Sequence, residues 1–242
     1  MDKISMIMFD LSGTTVEDDT GVRDCLYEAA VEFDLKTTPE EILLHMGTNK
    51  IHLYQFLIAR EQGQKIDIKD FEKIRDPETH DLAKRVFHRY QTLMIEHYRK
   101  NVEEVLGASD VFQWCHDHGI KVATDTGFHH AVVEAIMDGL GWLEDGLVDL
   151  SVDVQSVPGE IGRPAPFMLF HAMMQLNVQS VHEVIKVGDT PADMLEGRNA
   201  GCRGVVGVQS GPRPVSAWGK YWHTHVIGSV ADLPDLIESE FT

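Results

Sequence analysis

Asp10 ends a short apolar run and is followed at once by a turn sequence. The preceding residues, 4–9, read Ile-Ser-Met-Ile-Met-Phe, and residues 11–15 read Leu-Ser-Gly-Thr-Thr. This order presents a carboxylate at the carboxyl end of a parallel strand, the edge at which open α/β sheets bind ligands. The segment therefore predicts that Asp10 belongs to a functional site.

A second acidic pair stands at the end of another apolar run. Asp189 follows residues 184–187, and Asp193 comes four residues later. Asp10 and Asp189 would supply hard oxygen ligands for Mg²⁺, an ion that uses few carboxylates and keeps several waters. A local alternative is that residues 190–193 start a helix with a capping box. Asp193 can serve both purposes.

A hydroxyl group and a cation occupy two further loops. Thr126 and Gly127 follow an apolar strand, where a hydroxyl and backbone N–H groups before a helix can hold phosphoryl oxygens. The alternative for Thr126 is an ordinary helix N-cap. Arg163 stands just before a helix that starts with Pro, where its charge could offset the charge that builds in phosphoryl transfer. The alternative for Arg163 is a surface position.

The chain is acidic, with a formal net charge of −18 over 242 residues. An acidic surface argues against nucleic acid or an anionic membrane as a partner, and we expect neither. An anionic small-molecule substrate would then need local positive charge or a metal ion. Cys25, Cys115 and Cys202 are odd in number and widely spaced, so neither a disulfide framework nor a structural zinc site is indicated.

The length and the terminal sequence set further limits. The chain is long enough to bury a core as one domain, or as a domain with a sizeable insertion. Its first residues run straight into a strand, and no apolar run is long enough to span a bilayer. These features predict a cytoplasmic enzyme or binding protein.

Strand-like and helical patterns alternate along most of the chain. After Thr15 the pattern stays helical for roughly eighty residues. Beyond Asn101, helices and short apolar strands alternate, which predicts a parallel sheet with helices on both faces. We therefore predict an α/β fold with a Rossmann-like parallel-sheet core, residues 1–17 and 101–242, and an inserted all-helical cap domain, residues 18–100.

Four groups at predicted strand ends follow one another along the core: Asp10, Thr126, Arg163, and the pair Asp189 and Asp193. This order resembles the four sequential motifs of the haloacid dehalogenase superfamily of phosphohydrolases. The resemblance implies a covalent aspartyl-phosphate mechanism with Asp10 as the nucleophile. It also implies that Mg²⁺ is held by Asp10, Asp189 and the main-chain carbonyl of Ser12, with Asp193 in support.

The cap carries a more specific resemblance. Residues 46–51, Met-Gly-Thr-Asn-Lys-Ile, are similar to the Met-Gly-x-x-Lys-Ile segment of the phosphonatase family, whose cap lysine forms a Schiff base with the substrate aldehyde. By this resemblance Lys50 is that lysine, and the substrate is phosphonoacetaldehyde or a related carbonyl phosphonate. The residues expected at the substrate are Met46, Ser12, Thr126 and Gly127. The resemblance further implies a cap of type C1 and suggests a homodimer formed through the cap.

Ser12 fits this chemistry. Phosphatases of the superfamily carry a general-acid aspartate two residues after the nucleophile, and here that position is Ser12. A protonated imine lets the carbon leave phosphorus as an enamine, which needs no such acid. If Thr48 caps the next helix, Lys50 lies in the first turn, where the helix dipole and partial burial favour the neutral amine.

Two positions depart from the phosphonatase pattern and leave alternatives open. Phosphonatases have a histidine three residues after the lysine and a tyrosine after the Thr-Gly pair; here these positions are Leu53 and Phe128, and His52 comes one residue too early. One helical step turns a side chain by about 100°, so His52 would face elsewhere. A phosphate monoester phosphatase of the same fold and a non-catalytic binding protein are the two alternatives.

Overall fold

The computed structural model describes residues 3–18, 20–45, 49–211 and 215–241. The chain divides into two compact units. One unit consists of Met1–Asp18 and Asn101–Thr242, and the other is Asp19–Lys100. The first contains the sheet, and the second is made of helices.

The first unit is built on one parallel sheet. Within the described residues it has six strands in the order β3-β2-β1-β4-β5-β6, and every neighbouring pair is parallel. The strands are β1 (Met6–Asp10), β2 (Lys121–Asp125), β3 (Leu150–Val152), β4 (Val184–Gly188), β5 (Gly204–Val208) and β6 (His225–Ile227).

The central strands are buried along their whole length. Every residue of β1, β4 and β5 is buried, as expected for parallel strands that have helices packed on both faces of the sheet. In the register of β1 with β2, Asp10 lies beside Asp125. The same end of β4 leads directly to Asp189. Three acids therefore end or follow neighbouring strands at one edge of the sheet.

The second unit consists of helices from one part of the chain: α1 (Gly21–Glu32), α2 (Pro39–Leu44), α3 (Lys50–Glu61) and α4 (Pro77–Lys100). Thr38 caps α2, because its side-chain oxygen accepts a hydrogen bond from the Glu41 N–H at 3.2 Å. Helices α3 and α1 both pack on α4. The buried hydroxyl of Tyr54 donates to the Leu26 carbonyl at 3.2 Å.

The remaining helices cover the sheet of the first unit: α5 (Ala108–Asp117), α6 (His130–Leu140), α7 (Phe167–Gln175), α8 (Pro191–Ala200) and α9 (Leu233–Glu240). Phe9 of β1 packs edge-on against Phe112 of α5, with ring centroids 5.2 Å apart. The predicted α/β class, with a Rossmann-like parallel core and an inserted helical cap, is confirmed. In the part of the chain that the structure describes, no helix combines the length and the apolarity that crossing a bilayer requires.

Candidate active site

The first group at the carboxyl edge of the sheet is a cluster of three buried acids. Asp10, Asp189 and Asp193 each offer a carboxylate oxygen, and these oxygens lie within 4.8 Å of one another. Their residues are 3%, 3% and 0% exposed. Like charges this close inside a protein repel strongly unless a cation neutralises them. The cluster could therefore hold a divalent metal ion.

Two glycines shape the space around Asp189. A Cβ atom on Gly13 would lie 2.9 Å from Asp189 Oδ2, and one on Gly211 would lie 2.7 Å from Asp189 Cγ. Gly13 also has φ +82°, a backbone conformation that side chains disfavour. Gly13, in the loop after β1, and Gly211 can lie this close to Asp189 because glycine has no side chain. Hard carboxylate oxygens in such a cradle suit Mg²⁺.

Arg163 lies among the acids of the site and not on the surface. Its Nη1 atom is 2.9 Å from Asp10 Oδ1 and 3.7 Å from Asp125 Oδ1, and it donates a hydrogen bond to Asp193 Oδ1. Its side chain is only 12% exposed. Burial alone would lower the pKa of Arg163, but the carboxylates of Asp10 and Asp193 outweigh burial and raise it well above its usual value. The guanidinium is permanently charged beside Asp10.

The protonation of Asp10 depends on the charges around it. Burial raises the pKa of Asp10 to about 7, and Asp193 adds to this rise, while Arg163 acts against it. A divalent cation beside the same carboxyl would favour its charged form, since a bound metal ion is the largest local charge in such a site. A metal ion would thus help to keep Asp10 ionised at neutral pH.

Asp193 serves two purposes at once. Its Oδ2 atom accepts a hydrogen bond from the Thr190 N–H at 3.0 Å, while the Thr190 side-chain oxygen accepts from the Asp193 N–H at 3.3 Å, which forms the capping box of α8. Its Oδ1 atom accepts the hydrogen bond from Arg163 and lies 3.4 Å from Lys186 Nζ. Burial alone would raise the pKa of Asp193, but Arg163 and Lys186 lower it. The capping role expected from the sequence and a role in the site are therefore compatible.

Thr126 lies at the carboxyl end of β2 but does not cap the next helix. Its side-chain oxygen accepts a hydrogen bond from the Phe128 N–H at 3.2 Å, and the residue is 2% exposed. The N-cap of α6 is His129 instead. A hydroxyl that accepts one bond still has a proton to donate. A Cβ atom on Gly127 would meet nothing within 4 Å, so the backbone there is open to a ligand.

In the helical unit, Lys50 is the first residue of α3 and is half-buried. The N-cap of α3 is Asn49, whose side chain accepts from the N–H groups of Ile51 at 3.0 Å and His52 at 3.3 Å. Asn49 thus has the capping role that the sequence suggested for Thr48. Leu53 is fully buried.

The sequence also places Ser12 and Met46 at the expected site. Ser12 follows β1 and is half-buried, with an isolated bridge to Val16. Met46, like Thr48, lies outside the described residues.

Sequence reasoning missed three buried charged residues behind the acid cluster: Asp125, Lys186 and Glu196. Lys186 Nζ lies 3.0 Å from Glu196 Oε2 and also contacts Asp125 Oδ1. The available signal was a lysine in the middle of the apolar strand β4, because a lysine buried on both faces of a sheet requires acidic partners. Burial raises the pKa of Glu196 well above its usual value, so Glu196 favours its neutral form. The other four buried acids of the site, Asp10, Asp125, Asp189 and Asp193, face two cations, and this excess of acids favours binding of a metal cation.

Comparison with known proteins agrees with this geometry. Residues 4–201 match the model of a hydrolase family, haloacid dehalogenase-like hydrolase. A phosphonoacetaldehyde hydrolase of Bacillus cereus is 30% identical over 215 residues, which cover 82% of this chain and 74% of that protein.

Solved structures share the fold. A hydrolase from Pseudomonas syringae has a TM-score of 0.76 at 19% identity, covering 98% of this chain and 99% of its own. A phosphonoacetaldehyde hydrolase-like protein from Oleispira antarctica has a TM-score of 0.72 at 21% identity, with 98% and 92% covered. The chain belongs to the haloacid dehalogenase-like hydrolase family, in the subgroup that resembles phosphonoacetaldehyde hydrolase.

Proposed function

We propose that the protein hydrolyses the carbon–phosphorus bond of phosphonoacetaldehyde or a related carbonyl phosphonate. The observation that carries this proposal is Ser12. Ser12 occupies the position, two residues after Asp10, at which a phosphatase of this family needs a general acid. Asp10 itself is paired with Arg163, whose Nη1 atom lies 2.9 Å from Asp10 Oδ1. A site with a nucleophile and a phosphoryl-binding cation but no such acid suits a leaving group that needs no proton. The 30% identity to a phosphonoacetaldehyde hydrolase supports the same substrate class.

The core residues would act on the phosphoryl group. An oxygen of Asp10 attacks phosphorus and forms an aspartyl phosphate, which water then hydrolyses to phosphate. Arg163 would offset the negative charge on the phosphoryl oxygens, and Thr126 would donate a hydrogen bond to one of them. Mg²⁺ held by Asp10, Asp189 and the Ser12 carbonyl would supply further neutralisation of that charge. Asp193 would hold Arg163 in place.

Lys50 would act on the carbon side. Its neutral amine condenses with the aldehyde, releasing water and forming an imine that is then protonated. When phosphorus passes to Asp10, the electron pair of the C–P bond moves into the carbon chain and the iminium nitrogen accepts the displaced pair, giving an enamine. Protonation of the enamine carbon and hydrolysis of the imine return the lysine and release an aldehyde. The position of Lys50 in the first turn of α3 supports this role, because the helix dipole there disfavours an ammonium.

Borohydride trapping tests the proposal. With phosphonoacetaldehyde and borohydride, we expect a stable covalent adduct on Lys50, identified by peptide mass spectrometry, and phosphate release without borohydride. Lys50→Ala should lose both. Lys36→Ala is the matched control, because Lys36 belongs to the same unit and its side chain is 86% exposed. Retention of C–P cleavage by Lys50→Ala would contradict the proposal.

A phosphate monoester phosphatase is the second candidate, and the burial of Leu53 favours it. The position of the histidine that phosphonatases carry is here a fully buried leucine, so any proton transfer in this protein needs another group. A phosphatase with Ser12 would act on p-nitrophenyl phosphate, whose leaving group hardly needs an acid, and weakly on alkyl phosphates. Its turnover should be unchanged by Lys50→Ala, which separates the two functions.

A further inference from the structure

Behind the acid cluster, two buried cations share the same two carboxylates. Arg163 Nη1 contacts Asp125 Oδ1 and Asp193 Oδ1, and Lys186 Nζ contacts the same two oxygen atoms. Arg163 also faces Asp10 at 2.9 Å, and Lys186 also faces Glu196 at 3.0 Å. Acidic and basic groups therefore alternate along a connected row that begins at Asp10 and ends at Glu196. Burial, and after it Asp125, raises the pKa of Glu196 well above its usual value, so the last acid of the row favours its neutral form.

Lys186 is held in this row by its packing. Its side chain is 0% exposed, in the middle of β4. A Cβ atom on Gly197 of α8 would lie 2.9 Å from Lys186 Cβ and 2.7 Å from Val205 Cγ2, so the glycine allows α8 to lie close against the lysine stem. A buried lysine that had no partners would lose its charge. Here burial alone would lower the pKa of Lys186, but the neighbouring acids, Asp125 first, raise it.

We propose that Lys186 is a positioning residue, which fixes Asp125 and Asp193 so that Arg163 faces Asp10. The reasoning is electrostatic and geometric. Without an ammonium behind them, Asp125 and Asp193 would have Arg163 as their shared cation, and their attraction would draw the guanidinium inward, away from Asp10. With Lys186 in place, Arg163 is shared by Asp125, Asp193 and the nucleophile Asp10. The inference rests on the proposed function only in taking Arg163 as the cation that meets the phosphoryl group.

The test compares two variants that both lack the Asp125 charge. Asp125→Asn keeps Lys186, whereas Lys186→Met/Asp125→Asn removes one charge of each sign and leaves the net charge of the site at its wild-type value. Lys121→Met is the matched control for the loss of a lysine. Lys121 lies at the start of β2, its side chain is half-exposed, and its Nζ atom is 2.9 Å from Asp149 Oδ1.

The first readout needs no ligand. In ¹⁵N-resolved spectra we expect the Nη hydrogens of Arg163, assigned with Arg163→Lys, to give separate resonances in the wild type and in Asp125→Asn, because a guanidinium fixed by carboxylates rotates slowly. In the double variant we expect these resonances to shift relative to Asp125→Asn, because the guanidinium moves away from Asp10 and towards Asp193. Since it involves the protein alone, this readout holds even if the proposed activity is wrong.

The second readout is the affinity for inorganic phosphate in the presence of Mg²⁺, measured by calorimetry. Phosphate is the product of C–P cleavage and of ester hydrolysis alike. We expect the double variant to bind phosphate about tenfold to a hundredfold more weakly than Asp125→Asn, the range of one charge-assisted hydrogen bond. Lys121→Met should bind it as the wild type does.

Two results would overturn the proposal. If the double variant matches Asp125→Asn in the Arg163 spectrum, Lys186 only compensates buried charge. If the double variant does not fold while Asp125→Asn does, Lys186 is required for the fold and not for the arrangement of the site. Absence of phosphate binding in the wild type would contradict the proposed function, and the spectrum would still decide the role of Lys186.

Discussion

Replacing Arg163 with methionine should destabilise the protein strongly in the absence of divalent cations. The substitution keeps an unbranched side chain and removes a charge that is 12% exposed and lies 2.9 Å from Asp10. Above pH 7, where Asp10 is mostly ionised, two unit charges at this separation attract by about 6 kcal/mol with an effective dielectric constant of about 20. Removing one partner of a buried pair costs about 3–5 kcal/mol, because the remaining charge stays desolvated. We therefore expect the free energy of unfolding to fall by about 3–5 kcal/mol.

Urea unfolding followed by tryptophan fluorescence measures this loss, first in EDTA and then with Mg²⁺. Because Arg163→Met leaves the acids with one positive charge fewer, we expect Mg²⁺ to stabilise the variant more than it stabilises the wild type. Arg163→Lys, which keeps the charge but not the planar fork, should lose less stability.

The same variant should be catalytically impaired. With either candidate substrate, kcat should fall by about 10²–10³-fold, as when one group that stabilises transition-state charge is removed. Refutation would come from stability in EDTA within about 1 kcal/mol of the wild type, which is less than the smallest cost of breaking a buried pair. Arg163 would then not be the cation that balances these acids.

Two further predictions concern the acid cluster of Asp10, Asp189 and Asp193 and the pair of His130 with Asp153. Asp189→Asn removes one of several mutually repelling acids, so in EDTA it should unfold at a higher temperature than the wild type. Mg²⁺ should no longer stabilise this variant. If calorimetry shows that Mg²⁺ raises its unfolding temperature as much as that of the wild type, the prediction is wrong. His130 binds Asp153 at 2.9 Å, and this hydrogen bond raises the pKa of His130 above 6.5. Its stabilising contribution is therefore complete below pH 6.5 and is lost as the pH rises through the higher folded value. Because the His130 side chain is 65% exposed, this loss of unfolding free energy should be below about 1 kcal/mol. Urea unfolding at a series of pH values measures the loss, and His130→Gln should not show this dependence on pH.

The parts of the site that the sequence predicted are those marked by strand ends. Asp10 and Asp189 follow apolar runs of strand length, and the structure brings these two acids together. For Arg163 the sequence leaves two alternatives, a surface position or a place in the site, because the sequence of a loop does not determine where the loop lies in the fold. Its burial among acids decided the matter.

Local capping was predicted only in part. Thr38 caps α2 as a Thr-Pro-Glu-Glu sequence suggests, and the capping box at Thr190 is present. For α3 the sequence analysis named Thr48, whereas the structure has Asn49 as the N-cap; both residue types are good N-caps. Which of the two takes the cap depends on where the backbone turns, and the structure places the helix start at Lys50, after Asn49.

The sequence by itself determined the α/β class, the inserted helical segment and the acids at two strand ends, because periodicity and short-range turn signals are local. Only the tertiary structure decided which charges meet. Asp125 and Lys186 are 61 residues apart, yet their strands β2 and β4 flank β1, so that both face Asp193 and Arg163. The buried row of alternating acidic and basic groups depends on the order of the strands. That order is fixed by the packing of the whole sheet and not by any local pattern of residues.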